Sequence, residues 1–237
     1  MPTTQILLYN AGTMINFEDI HLFKGVNPKA LKALEAKAML RSFDKGQILF
    51  RKEDACKSIY FIQAGAVKVY NLSTSGREQI LHQMGPGESC ACHAGCGAQT
   101  CSSSAEAIED TKAWRIWAGD YSAFIAANPN SLGQLCDSFA ERIRSYSTLI
   151  DDLSLKDTRQ RLIRFLLDMT RAAKGETVSD ADLSLEFTRE EIAQRLGTTR
   201  ETVARNLSLL KREGFIEVKP RHIRILDVEG LKNIDPA

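Results

Sequence analysis

Residues 187–212 read FTREEIAQRLGTTRETVARNLSLLKR, and their spacing decides how this part of the chain folds. Thr188 with Glu191, and Thr198 with Glu201, fit the S/T-x-x-E pattern in which side chains satisfy orphan backbone donors at a helix start. Between the two helices lies Leu196-Gly197, and glycine tolerates the left-handed turn that a helix end requires. Ile192, Leu196, Val203, Leu207 and Leu210 supply one apolar face. Ala193, Gly197 and Val203 then fall where a helix-turn-helix needs a small contact residue, a turn glycine and an inward aliphatic.

The second helix keeps an outer face. At 100° per residue, Arg200, Glu201, Ala204 and Arg205 span roughly 140° of arc on the side away from Val203 and Leu207. Each arginine can contact a guanine in bidentate fashion, and Glu201 can accept from a cytosine amine. The bland alternative is a solvated amphipathic helix pair. Caps, turn and core spacing agree instead on a helix laid into the major groove of double-stranded DNA.

Charge supports this locally, not globally. The 237-residue chain has a net charge of +1. From Arg195 to Arg224, however, eight lysines and arginines face only Glu201, Glu213 and Glu217, a patch suited to phosphates. No apolar run approaches the ~18 residues of a membrane span, and no basic-then-apolar leader opens the chain, so a cytoplasmic protein off the membrane is expected. In that compartment the six cysteines are ligands or reactive thiols rather than structural disulfides.

Working outward, residues 1–17 show no period and read as an extended arm. Ile20 to Ala38 carries helical spacing (Leu22, Leu31, Leu34, continuing to Leu40), interrupted by a loop at Gly25-Val26-Asn27-Pro28. From Arg41 to about Ile116 short strand-like runs (47–50, 58–62, 66–70, 79–81) alternate with turns at 44–46, 64–65 and 73–77, which predicts a sandwich or jelly-roll barrel. From about Ser131 to Leu153 the chain reads as one long helix. Leu132, Cys136, Phe139, Ile143, Tyr146, Ile150 and Leu153 step by 4, 3, 4, 3, 4, 3, the seam of a parallel dimer coiled coil, with packing against the chain's own barrel as the alternative. Such a homodimer sets two reading helices about one DNA turn apart, as a palindromic site requires. Asp157 to Ala173 is a further amphipathic helix, residues 183–187 alternate like a strand, and 215–218 with 222–225 form a hairpin wing. The fold class is α+β in three parts: a sensor barrel over 1–130, a dimerisation helix and hinge over 131–155, and a winged helix-turn-helix over 156–237.

This organisation, with GTTRETVARNLSLLKREG in the reading helix, resembles the CRP/FNR superfamily of bacterial transcription regulators over about residues 18–228. The resemblance implies that Arg200, Glu201 and Arg205 read bases in TGTGA-type half-sites, that Thr188 and Thr199 contact phosphates at helix starts, and that RNA polymerase is a partner. In the cyclic-nucleotide binders of that family a Gly-Glu pair meets the ribose and an Arg-Ser pair takes the phosphate. Here residues 87–107 read GESCACHAGCGAQTCSSSAEA, Ala91-Cys92 stands for Gly-Glu, and no arginine occurs between Arg77 and Arg115. A phosphate buried without a cation is costly, so cyclic AMP is not expected. The oxygen-sensing branch carries an N-terminal cysteine cluster, whereas the first cysteine here is Cys56.

Cys90, Cys92, Cys96 and Cys101 instead form C-x-C-x3-C-x4-C, with His93 inside. Thiolates this close in sequence can converge on a soft metal ion or an iron–sulfur cluster. The spacing is neither that of a zinc finger nor that of c-type haem attachment. A thiol switch forming sulfenate, persulfide or disulfide stays open, as do non-covalent haem or another small effector; His93 ranks below the thiols. Cys56, in a turn 34 residues before Cys90, reads as incidental, with joining the cluster as the alternative. A thiol enzyme with an accessory DNA domain is the weakest alternative, because no catalytic triad, Walker loop or dinucleotide fingerprint occurs.

Overall fold

The computed structural model describes residues 14–74, 76–90, 100–174, 181–183, 187–219 and 222–234. The described residues form two compact units, one within residues 14–71 and 81–143, the other within residues 72–80 and 144–234.

The first unit holds most of the barrel. Its strands are β1 (Met39–Phe43), β2 (Ile48–Phe50), β3 (Ser58–Ala64), β4 (Val67–Leu72), β5 (Glu78–Met84), β6 (Ser104–Ala107) and β7 (Thr111–Trp117). They pair as two sheets, β1-β7-β3 and β2-β6-β4-β5. The expected turns are present, and Gly65 shows why one of them needs glycine: its φ is +85°, and a Cβ there would lie 2.5 Å from the Asp110 carbonyl. The helical spacing expected over 20–38 resolves into two 3-10 turns (Phe17–Asp19, His21–Phe23) and α1 (Pro28–Glu35), whose N-cap Asn27 accepts the Lys29 N–H. Leu40 belongs to β1 and is exposed rather than continuing that helix, because pairing with Trp114 claims its backbone. Phe17, Phe23, Phe61, Tyr121 and Phe124 form the aromatic heart of the core. The last two come from α2 (Ala118–Ala127), an element the periodicity did not reveal.

The long helix α3 runs Pro129–Leu155, longer at both ends than expected. Its buried residues are Ser131 and Leu135, and Phe139 packs with Leu135 against the barrel core. Phe139 therefore serves the chain's own unit, because residues four apart share a helix face. The remainder of the heptad seam points outward: Ile143 is 64% exposed and Ile150 61%, with Leu132, Cys136 and Leu153 also exposed and Tyr146 half-buried.

The second unit contains α4 (Thr158–Lys174), β8 (Ala181–Leu183), α5 (Arg189–Leu196), α6 (Arg200–Arg212), β9 (Ile216–Lys219), β10 (His222–Ile225) and α7 (Val228–Ile234). The break between α3 and α4 is a reciprocal cap, in which Asp157 N–H donates to Gln160 Oε1 at 3.0 Å and Gln160 N–H to Asp157 Oδ1 at 2.8 Å. The helical break is confined to residues 156–157, since residues 151–155 remain helical. The wing is confirmed as a three-stranded sheet, β8-β10-β9. The strand expected at 183–187 lies earlier, at 181–183, with 184–186 outside the described residues. All five apolar residues singled out in the helix-turn-helix are buried, packed with Leu162, Phe165, Leu166 and Met169 of α4.

Candidate DNA interface and cysteine-lined cavity

The helix-turn-helix is built by its caps. Thr188 N–H donates to Glu191 Oε2 at 2.7 Å and Glu191 N–H donates to Thr188 Oγ1 at 3.1 Å, the expected box. Gly197 takes φ 62° and closes α5 by donating to the Ala193 carbonyl. The second cap lies one residue later than expected. Thr198 N–H also donates to Ala193, at 3.0 Å, so Thr198 finishes α5 and cannot start α6. Thr199 is the N-cap, accepting the Thr202 N–H at 3.3 Å. Glu201, released from capping, stands on the outer face.

That face is what the spacing predicted. Thr188, Thr199, Arg200, Glu201 and Arg205 are all exposed, and among the described residues no ion pair engages Arg200, Glu201 or Arg205. The α6 N-terminus also presents its unsatisfied N–H groups on this side, which favours a phosphate. Behind it, the Arg195 guanidinium lies over the Phe187 ring at 4.6 Å. Burial pushes Arg195 down to about 10, with Glu191 acting against that shift; it remains cationic and structural. The wing residues Pro220 and Arg221 fall outside the described residues.

The cysteine run is described at its two ends. Cys92, His93 and Cys96 lie outside the described residues, whereas Cys90 and Cys101 are buried thiols. Backbone pairing pins both. Cys90 N–H donates to the Tyr60 carbonyl at 3.2 Å, Cys101 N–H donates to Asp54, and Glu53 N–H donates back to Cys101 at 2.8 Å. An antiparallel bridge joins Ala55 and Thr100. Both cysteines consequently line one cavity of about 330 Å³.

Cys56 lines the same cavity, so the structure brings it to the described ends of the cysteine run. The cavity also has a cation, although the cysteine run contains none: Arg115 of β7, the cross-strand partner of Tyr60. Phe50 stacks on Tyr60 with ring centroids 6.1 Å apart. Burial raises the Tyr60 phenol above its ordinary value, against the lowering effect of Arg115. Tyr121 is raised further, by burial first and by proximity to Cys90 second. Among the described residues no group of three histidines, cysteines or acids is placed to hold a metal ion.

Two domain families match the chain: a cyclic nucleotide-binding domain over residues 40–128 and a Crp-like helix-turn-helix domain over 160–234. The anaerobic regulatory protein of Haemophilus influenzae is 30% identical over 191 residues, covering 81% of this chain and 74% of that protein. The chain belongs to the CRP/FNR family of transcription regulators.

As a member of that family it is a DNA-binding transcription regulator, and its relatives are regulators rather than enzymes. The cyclic AMP receptor protein of Thermus thermophilus is 28% identical over 213 residues, covering 90% of this chain and 95% of that protein. Among solved structures, FixK2 from Bradyrhizobium japonicum shares 26% identity at a TM-score of 0.68, covering 84% of this chain and 98% of that one. No helix among the described residues is long and apolar enough to cross a membrane.

Proposed function

We propose that this regulator binds a palindromic operator as a homodimer, in the cytoplasm, and that chemistry at its cysteine-lined cavity sets its DNA affinity. Arg200, Glu201 and Arg205 read bases of TGTGA-type half-sites; Thr188 and Thr199 meet phosphates; RNA polymerase is the further partner. The exposed seam of α3 from Ile143 to Leu153 is the dimerisation surface. The observation that carries the effector assignment is the convergence of Cys90 and Cys101, eleven residues apart in sequence, on one cavity with Cys56.

Soft thiolates in that arrangement suit an iron–sulfur cluster or a soft metal ion. Since the described thiols alone do not form a metal-holding group, Cys92 and Cys96, with His93 as a reserve donor, would complete the ligand set. A bound cluster would supply redox or oxygen sensitivity; the chain's own contribution is to pin the two ends of the run onto Tyr60 and Asp54. Thiol oxidation or persulfidation without metal is the second reading, favoured by the approach of Cys56 to the pair. Cyclic AMP is not proposed as the effector. Anaerobic purification followed by an absorbance spectrum and iron, sulfide and zinc analysis separates these readings. Bound iron with charge-transfer bands lost in air supports the cluster. A colourless, metal-free protein whose DNA binding changes with oxidant supports the switch, and indifference to both overturns the cysteine assignment.

A further inference from the structure

The cavity holds a cation that cysteine chemistry does not use. Arg115 Nε donates to Ser58 Oγ at 2.8 Å, and its guanidinium lies over the Trp117 ring at 4.7 Å. These two contacts fix the head, yet among the described residues no carboxylate pairs with it and its Nη groups donate to no protein atom. Lys57 lines the same cavity. The wall carboxylate, Asp54, is engaged elsewhere, accepting the Arg51 N–H at 2.8 Å. The lining is thus net positive. A fixed guanidinium with unused N–H groups is suited to bidentate recognition of a planar anion. Phe50 and Tyr60 give an apolar wall, and three sulfurs border the same space. At about 330 Å³ the cavity lies at the small end of ligand pockets.

We propose that this cavity receives a small monoanion bearing a thiol-reactive end, its charged group on Arg115 and its reactive end beside Cys56, Cys90 and Cys101. The anion site is independent of whether the cysteine run carries a metal or an oxidisable pair.

Two alkylating probes that differ in charge test it on the reduced, metal-free full chain. Iodoacetate is anionic and iodoacetamide neutral. With either, the cysteine thiol gives its proton to solvent, the thiolate sulfur bonds to the methylene carbon, the carbon–iodine bond breaks with its electron pair, and iodide leaves. Alkylation of Cys56 is followed by peptide mass spectrometry, with the isolated peptide of residues 51–59 as reference, because it carries the same neighbouring charges. The iodoacetate-to-iodoacetamide rate ratio at Cys56 should exceed that of the peptide by about tenfold or more, the scale of electrostatic focusing in a cleft. Arg115→Gln should abolish the excess and Arg115→Lys should retain part of it. Equal ratios in protein and peptide, or an excess that survives Arg115→Gln, would overturn the proposal. Should that variant fail to fold, acetate decides: it must protect Cys56 of the unaltered protein from iodoacetamide, and absence of protection is equally fatal.

Discussion

Tyr60 and Cys90 hold each other through two bonds: the Tyr60 N–H donates to the Cys90 sulfur at 3.2 Å, and the Cys90 N–H donates to the Tyr60 carbonyl at 3.2 Å. The Cys90 thiol is therefore a structural acceptor for strand β3. Any bond formed at that sulfur alters the bond it makes to the strand, which gives ligand chemistry a mechanical outlet.

Cys90→Ala leaves the Tyr60 N–H without its acceptor and should destabilise the barrel unit by about 1–3 kcal/mol, the cost of an unsatisfied buried donor. Cys90→Ser, which retains an acceptor, should cost less. Urea unfolding followed by barrel tryptophan fluorescence checks the order, and equal losses would deny the bond its role.

The seam of α3 predicts oligomeric state. Ile143→Glu with Ile150→Glu places charges at two exposed apolar positions that a parallel coiled coil would bury. Sedimentation should show a dimer for the unaltered chain and a monomer for the variant, with operator affinity falling along with it. A variant that stays dimeric would move the interface elsewhere.

On α6, Arg200→Ala and Arg205→Ala should each weaken binding to the preferred operator by about 1–3 kcal/mol and relax base preference at one position. Thr199→Ala should weaken operator and random DNA alike, and cost about 1 kcal/mol of stability through the lost cap. Anisotropy titrations against both DNAs distinguish the two patterns.

Asp168 predicts a pH dependence. Burial raises its carboxyl above the ordinary range, although Arg164 and Arg171 oppose the shift. The folded state then holds the proton more tightly than the unfolded state. Its contribution is fully present below the usual carboxylate value and is lost as pH rises through the raised one. Asp168→Asn should accordingly gain stability relative to the unaltered protein as pH climbs from acid towards neutral. Unfolding midpoints that run parallel at all pH values would contradict this.

The winged helix-turn-helix was legible because local rules settle it: the five apolar positions from Ile192 to Leu210 need only a 3.6-residue period. The cap register was missed by one because both Thr198 and Thr199 can cap, and the α5 turn takes Thr198. Phe139 was assigned to the dimer seam because a heptad count cannot tell a partner from the helix's own barrel. Cys56 and Arg115 escaped for another reason. Their place beside Cys90 and Cys101 follows from pairing between distant segments, 53–55 with 100–101 and β3 with β7, and no local spacing encodes a strand order. The short α7 carries its own signal, Asp227 capping Gly230 at 2.7 Å, which a D-x-x-G scan would find.

The most direct measurement is operator affinity of the anaerobically purified protein before and after air or a thiol oxidant, for the unaltered chain beside Cys90→Ser with Cys101→Ser. The unaltered protein should change affinity by about tenfold or more, on the scale of an allosteric coupling, and the double variant should stay fixed in one state. If the double variant responds as the unaltered protein does, the cysteine-lined cavity is not the sensor.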